Sequence, residues 1–326
     1  MAFKTFTGQH DIVRRLNHAI LNGTLSHSYV FSGPEGIGKR TLADAFVSEL
    51  VCTAPDENGK CGLCNACRMY RAKMPVDNIW LQPESAHISI DDIRKIQNDV
   101  LIKPLYSDRK VYVISEGDKM TPQAQNCLLK ILEEPPGYTV LIILAVAVDS
   151  LLPTVMSRVI NYHLDKYSKE DLLKILKQNS IEIDPNYLNT IYGYSGGIPG
   201  KALELVRSEE FTLFRKDMIK LILSINNANM NIVDTVNYFD DNKENIQTLF
   251  NILQLFYRDV PVVARSDYQN VINADKIKEV EEIGRDLTLR KTVRNIQCIN
   301  ETLVNIQRNA NFRLAVENML ITLTEV

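Results

Sequence analysis

The sequence lacks any long apolar run, and this absence excludes a first large class of proteins. No stretch approaches the ~20 consecutive apolar residues that a membrane-spanning helix needs. The first residues, Met1–Phe6, also lack the apolar core of a secretion signal. We therefore expect a cytoplasmic protein.

Charge of one sign is equally scarce. The formal net charge is −3 over 326 residues, which argues against a protein whose whole surface coats nucleic acid, although local basic patches are compatible with it. The chain has no repeat of fixed period and no low-complexity segment. Because 45% of the residues are hydrophobic, this length predicts two or three domains with cores of their own.

Short apolar runs in the first half of the chain predict strands that alternate with amphipathic helices. The predicted strands are the segment around Tyr29, Asn78–Gln82, Lys110–Ser115, Thr139–Ala145 and Val159–His163. Such alternation is typical of a parallel, doubly wound α/β sheet. Ligands of these sheets bind beyond the carboxyl ends of the strands.

The second half of the chain shows no strand pattern from Tyr167 onward. Apolar residues recur with a helical period in the segments 211–225, 243–260, 276–284 and 291–323. We therefore predict an all-helical region after the α/β domain.

A glycine-rich turn follows the first predicted strand and opens a helix, which is the arrangement of a phosphate-binding P-loop. The residues that would face a nucleotide are Gly33, Gly36, Gly38, Lys39 and Thr41. Glycines free the backbone to direct N–H groups at an anion, and the lysine would reach the terminal phosphates.

One position of this loop departs from the pattern. A hydroxyl normally follows the lysine and holds Mg²⁺, but Arg40 occupies that place and Thr41 comes one residue later. Two interpretations stay open: the loop binds an anion, or it persists only as a turn between sheet and helix.

Four of the six cysteines are clustered in a short segment after the P-loop helix. Cys52, Cys61, Cys64 and Cys67 have the spacing C-x8-C-x2-C-x2-C, which predicts a structural Zn²⁺ knuckle with all four places filled by thiolates. An iron–sulfur cluster and unliganded thiols are the alternatives. Cys127 and Cys298 lie on apolar helix faces and are interpreted as ordinary packed thiols.

Several motifs together resemble one family. The P-loop, the strand Val111–Glu116, the segment Leu128–Pro136 and the pair Ser157-Arg158 resemble those of bacterial clamp-loader subunits of the AAA+ class. The resemblance implies an AAA+ domain at 1–166 with the zinc module at about 50–70, a helical lid at 167–208 and a helical collar at 209–326. It also implies other clamp-loader subunits as partners in a hetero-oligomeric ring, which acts on a sliding clamp and primed DNA.

The resemblance also implies that this chain has lost groups which hydrolysing relatives use. The departures are Arg40 for the Mg²⁺ hydroxyl, Ser115 for the strand-end aspartate beside Glu116, Ala145–Ala147 for a polar residue after the fourth strand, and Gly200 or Lys201 for a lid arginine. Since a hydrolysing site needs Mg²⁺ ligands and cationic help, we predict no intrinsic ATPase activity. Bound ATP or ADP stays open.

The same resemblance assigns Arg158 a role on a neighbouring subunit. In the corresponding motif this arginine reaches the nucleotide of the neighbour and stabilises the transferring phosphoryl group in trans. The alternative is an ordinary surface arginine beside a strand. A competing hypothesis for the whole chain is an active, DNA-stimulated ATPase that uses Thr41 or Asp118 as a substitute Mg²⁺ ligand. A third is a zinc-knuckle protein that binds nucleic acid by itself.

Overall fold

The computed structural model describes residue 3 and residues 6–56, 59–74, 76–83, 86–227, 229–285 and 287–325. Most of Met1–Phe6, on which the secretion-signal expectation rests, lies outside the described residues, as do Glu57 and Asn58 of the cysteine segment. The chain divides into two compact units, Met1–Asp171 with Ile198–Gly200 and Leu172–Gly197 with Lys201–Val326. The domain boundaries expected near 166 and 208 stay predictions.

The first unit is built on a parallel five-stranded sheet, which confirms the predicted α/β class. Its strands are β1 (Ser28–Ser32), β2 (Asn78–Leu81), β3 (Lys110–Ile114), β4 (Thr139–Ala145) and β5 (Ile160–His163). The strand order is β2-β3-β4-β1-β5, the doubly wound arrangement of an AAA+ domain. Every residue of β1, β3 and β4 is buried, as expected for strands covered on both faces.

Helices follow the strands at the positions that the caps predict. They are α1 (His10–Leu21), α2 (Lys39–Leu50), α3 (Asn65–Arg71), α4 (Ile90–Asp99), α5 (Pro122–Glu133), α6 (Pro153–Met156) and α7 (Lys169–Gln178). Ser89 and Asp92 form a reciprocal capping box at the start of α4. Thr121 accepts a hydrogen bond from the Ala124 N–H and places Pro122 in the first turn of α5.

The second unit is helical throughout its described residues. Its later helices are α8 (Pro185–Ser195), α9 (Pro199–Arg207), α10 (Glu209–Asn226), α11 (Ile232–Asp241), α12 (Ile246–Ala264), α13 (Ile277–Gly284), α14 (Leu289–Gln307) and α15 (Phe312–Thr324). The apolar helix α12 lies at the centre and packs against α10, α13 and α14. Among the described residues, no helix combines the length and apolar character needed to cross a bilayer.

Two features of this unit differ from the sequence pattern. The apolar period at 291–323 is interrupted, because Asn309 adopts a left-handed backbone conformation (φ 63°) and Asn311 caps a new helix. Helix α11 lies outside the predicted apolar segments and begins after Asn231, whose side chain accepts from the Val233 and Asp234 N–H groups. Short polar caps therefore set element boundaries that apolar periodicity alone does not show.

Candidate functional site

The glycine loop has the backbone shape of a P-loop and is tightly packed. Gly33 has φ 142° and Gly38 has φ 103°, values that favour glycine over residues with a Cβ. A Cβ on Gly33 would lie 3.0 Å from the Leu164 carbonyl oxygen. The backbone at this turn thus requires glycine whether or not an anion binds.

Lys39 lies at the start of α2, where a phosphate-binding lysine is expected. Its Nζ donates to the carbonyl oxygens of Gly33 and Pro34, at 2.5 and 3.0 Å. Burial lowers the pKa of this lysine, while the negative charges of Asp118 and Glu35 oppose the shift. In this arrangement the loop itself occupies the ammonium group.

The residue in the place of the Mg²⁺ hydroxyl points to another partner. The guanidinium carbon of Arg40 lies 5.3 Å from the centre of the Trp80 ring, within the range of a cation–π contact. With the Gln82 amide turned to face it, the amide oxygen accepts from both terminal nitrogens of Arg40, at 2.7 and 3.1 Å. Thr41 is exposed on α2.

The ends of β3 and β4 present few groups that could hold a metal ion. Ser115 is buried, and its hydroxyl has no hydrogen-bond partner among the described residues. Glu116 has a left-handed backbone (φ 56°) and pairs with Lys119. One carboxylate oxygen of Asp118 accepts from the Val146 N–H at 3.0 Å, so this carboxylate braces the two strand ends.

Gly200, one of the two positions assigned to the missing lid arginine, belongs to the first unit and contacts the loop directly. Its N–H donates to the Gly36 carbonyl oxygen at 2.9 Å. A Cβ on Gly200 would lie 2.8 Å from the Gly36 Cα. This close backbone approach was not evident from the sequence.

Arg158 lies after α6 with its side chain partly open to solvent, 37% exposed. One terminal nitrogen donates to the Thr154 carbonyl oxygen at 2.9 Å and to the Ser157 hydroxyl at 3.1 Å. The other lies 3.0 Å from a carboxylate oxygen of Glu133 at the end of α5. Sequence reasoning interpreted Glu133 as a helix-end residue and missed this pairing, because the two residues are distant along the chain.

The four clustered cysteines converge as predicted. The Sγ atoms of Cys52, Cys61, Cys64 and Cys67 all lie within 4.8 Å of one another, and a tetrahedral Zn–thiolate site with bonds of about 2.3 Å fits this spread. Hydrogen bonds from the backbone N–H groups of Leu63 and Cys64 lower the pKa of the Cys61 thiol. The arrangement is one that could hold a metal ion through four sulfur ligands.

Side chains outside the cysteine motif dock this knuckle on α2. The backbone N–H of Lys60 donates to the buried Glu49 carboxylate at 2.6 Å, and the Tyr70 hydroxyl donates to the Asp44 carboxylate at 2.6 Å. The glutamate is the less expected of the two acids, since its only sequence signal is an acid on an otherwise apolar helix face. The knuckle is thus held to the first unit by polar contacts that the cysteine spacing does not reveal.

Comparison with known families decides the relationship of the chain. A model described as DNA polymerase III, delta subunit, matches residues 8–168, and a second model, which describes the C-terminal part of the same protein, matches residues 210–325. The chain belongs to the DNA polymerase III delta subunit family. The two matched regions include the glycine loop, the cysteine knuckle, Arg158 and most of the helical second unit.

Relatives in this family differ in how much of their length aligns. DNA polymerase III subunit delta' of Bacillus subtilis is 26% identical over 325 residues, 97% of this chain and 96% of the relative. Subunit delta' of Pseudomonas aeruginosa is 34% identical over 182 residues, 55% of this chain. This chain spans only 56% of the Pseudomonas protein.

A gamma/tau relative and a solved structure give partial likenesses. Subunit gamma/tau of Mycobacterium bovis is 28% identical over 63% of this chain and 36% of its own length. The RuvB Holliday junction branch migration motor of Thermotoga maritima is 17% identical and covers 87% of this chain and 88% of its own, with a TM-score of 0.46.

Proposed function

We propose that this chain is a delta-prime-like subunit of the DNA polymerase III clamp loader. It would assist ATP-dependent loading of the sliding clamp onto primed DNA, within a hetero-oligomeric ring of other clamp-loader subunits. The alignment with Bacillus subtilis delta' over 97% of the chain is the observation that carries this proposal. Primed DNA and the clamp would be contacted through the assembled ring.

The second part of the proposal is that the chain does not hydrolyse ATP itself. Phosphoryl transfer needs Mg²⁺ ligands and a group that orients water. Here Arg40 turns to Trp80, the Ser115 hydroxyl replaces a carboxylate, and Asp118 is bonded to the Val146 backbone. Lys39 also donates to carbonyls of its own loop. These contacts support a loop that shapes the fold and leave ATP or ADP binding without turnover.

The third part assigns Arg158 to the nucleotide of a neighbouring subunit. Its guanidinium is partly exposed, and its partners are a backbone carbonyl, a hydroxyl and one exposed carboxylate. Exposed ion pairs contribute little stability, so exchange of Glu133 for a phosphate would cost little. The phosphate would accept the two-pronged hydrogen bonding that guanidinium offers.

We also propose that Cys52, Cys61, Cys64 and Cys67 bind one structural Zn²⁺ ion. Four sulfur ligands favour zinc or iron–sulfur chemistry over Mg²⁺ or Ca²⁺. The short C-x2-C turns and the backbone N–H bonds to sulfur support a closed four-thiolate zinc site. With every coordination place filled by protein, the metal would stabilise the fold and take no part in catalysis.

The proposed role of Arg158 can be tested in the reconstituted clamp loader. We expect Arg158→Ala to leave assembly intact and to slow ATP turnover at the neighbouring site by about 10³-fold, the lower range for loss of such a finger. Arg94→Ala is a matched control, because Arg94 is an exposed arginine with an acidic partner, Asp91. Steady-state ATPase of the complex measures both, and equal rates for the two variants would contradict the assignment.

The competing ATPase hypothesis makes a separate prediction for the isolated chain. It requires ATP turnover by this chain alone, abolished by Lys39→Ala. We expect no such turnover. A DNA-stimulated rate in the isolated chain would therefore overturn the non-catalytic part of the proposal without affecting the family assignment.

A further inference from the structure

An open cleft of about 660 Å³ lies beside the cysteine knuckle. Residues of α2, the knuckle, α3 and β2 line it. None of the functions proposed above uses this cleft. Its lining combines positive charge with aromatic rings, a composition that differs from the acidic balance of the chain as a whole.

The charge of the cleft is strongly positive. Its lining includes the cations Arg40, Lys60, Arg71 and Lys73, and the only acidic residue in it is Asp44. The Asp44 carboxylate already accepts a hydrogen bond from Tyr70 at 2.6 Å. Among the described residues, none of these four cations forms an ion pair with a carboxylate, whereas the whole chain has a net charge of −3.

Neutral partners hold three of these cations in place. Lys60 donates to the Ser48 hydroxyl at 2.7 Å, and Arg71 donates to the Gly62 carbonyl oxygen at 2.9 Å. Arg40 lies against the Trp80 ring. Such partners orient the positive groups without neutralising them, so the charge stays available for an anion.

An aromatic surface accompanies the charge. Trp80 is partly exposed on β2, and the planar Arg40 guanidinium lies 5.3 Å from its ring centre. Cations along a groove with an aromatic platform are typical of proteins that bind single-stranded nucleic acid, since an unstacked base can stack on the platform. The cations come from separate elements along an open cleft, an arrangement that suits successive phosphates of a strand better than one compact phosphate group.

We propose that this cleft binds a segment of single-stranded DNA. Lys60, Arg71 and Lys73 would contact the phosphates, and the Arg40–Trp80 pair would stack on a base. The proposal concerns a surface separate from the glycine loop and from Arg158. It would hold even if the chain played no part in ATP hydrolysis.

Trp80 provides a direct test because it is the only tryptophan in the chain. A 20-nucleotide oligothymidylate is titrated into the metal-loaded full chain at low salt while tryptophan emission is recorded. We expect saturable quenching, because a stacked base would contact the indole. An abasic oligomer of the same length should compete for binding but quench weakly, and ATP at equal phosphate concentration should do neither.

A pair of charge-matched double variants locates the site. Arg40→Gln with Lys73→Gln should weaken binding about tenfold at ~50 mM salt and reduce the slope of log K against log salt by about 1.4, since each single-strand phosphate contact contributes about 0.7. Arg94→Gln with Lys95→Gln removes the same charge from the exposed face of α4 and should change affinity by less than about twofold. Lys73→Gln alone gives a milder variant with an intact Arg40–Trp80 contact.

Several results would overturn the proposal. Equal weakening by the two double variants would indicate general attraction to charge. Quenching by ATP as strong as that by the oligomer would indicate a mononucleotide site. Failure of the oligomer to bind the unmodified chain at low salt would exclude the strand altogether, and bound zinc measured in each variant verifies that the knuckle has folded.

Discussion

The glycine loop and the cysteine knuckle lie next to each other along the chain, yet their motifs have different relations to the fold. At the loop, Gly33 must be glycine because its φ is 142° and because a Cβ there would lie 3.0 Å from the Leu164 carbonyl oxygen. The knuckle brings four sulfurs within 4.8 Å, an approach for which packing alone gives no reason. A motif therefore indicates function most strongly where the fold does not otherwise need it.

The polar groups around the two sites show the same difference. The loop's lysine is bonded to its own carbonyls, and the nearby Ser115 hydroxyl has no partner in the described part of the chain. At the knuckle, backbone N–H groups point at sulfur and the Lys60 N–H reaches Glu49. One site has lost partners for its ligand, whereas the other is organised around one.

Removal of metal should produce the largest effect. We expect about one equivalent of zinc per purified chain, and Cys64→Ser should lose it and unfold the knuckle, because binding to a structural zinc site provides about 10–16 kcal/mol of apparent free energy. Metal content by mass spectrometry and thiol titration measure the loss. Tryptophan emission adds a local probe, since Trp80 shares a cleft with the knuckle.

Cys127→Ser is the matched control for this experiment. Cys127 is a partly buried thiol on α5, outside the cluster, and its replacement should leave the zinc content unchanged. A metal-free chain that keeps its knuckle folded, with four freely titrating thiols, would contradict the zinc assignment.

Much of the first unit could be predicted from the sequence because its signals are local. Apolar runs located the strands to within a residue: β4 is Thr139–Ala145 as predicted, and β2 ends at Leu81, one residue before the prediction. Thr121-Pro122 likewise identified the start of α5. In the second unit the helix break at Asn309 was missed, since apolar periodicity continues across it.

The contacts that define the sites could be predicted only in part. The cysteine spacing identified its own ligands because short turns aim neighbouring thiols at one centre. No comparable rule links Glu133 to Arg158 or Gly200 to Gly36, pairs that are distant in sequence and meet only in the folded chain. Such pairs depend on tertiary geometry, which a single sequence does not encode in its local pattern.

Replacement of a loop glycine should have a smaller effect, on stability. Gly33→Ala places a Cβ 3.0 Å from the Leu164 oxygen in a backbone conformation that disfavours it, so we expect a loss of about 1–3 kcal/mol. Gly137→Ala is the control, because a Cβ there meets nothing within 4 Å. Urea unfolding followed by Trp80 emission measures both. Equal stability of the two variants would mean that the fold does not require the glycine.

Two buried serines offer the finest comparison of the regions. Ser115→Ala removes a buried hydroxyl without a partner among the described residues, so stability should be unchanged or should rise by up to about 1 kcal/mol. Ser48→Ala removes a buried hydroxyl that donates to the Ala45 carbonyl and accepts from Lys60, and it should cost about 1–2 kcal/mol. The same urea assay compares them. If Ser115→Ala proved as costly as Ser48→Ala, the hydroxyl at the end of β3 would have a partner, and the loss of polar function at the glycine loop would be smaller than its contacts indicate.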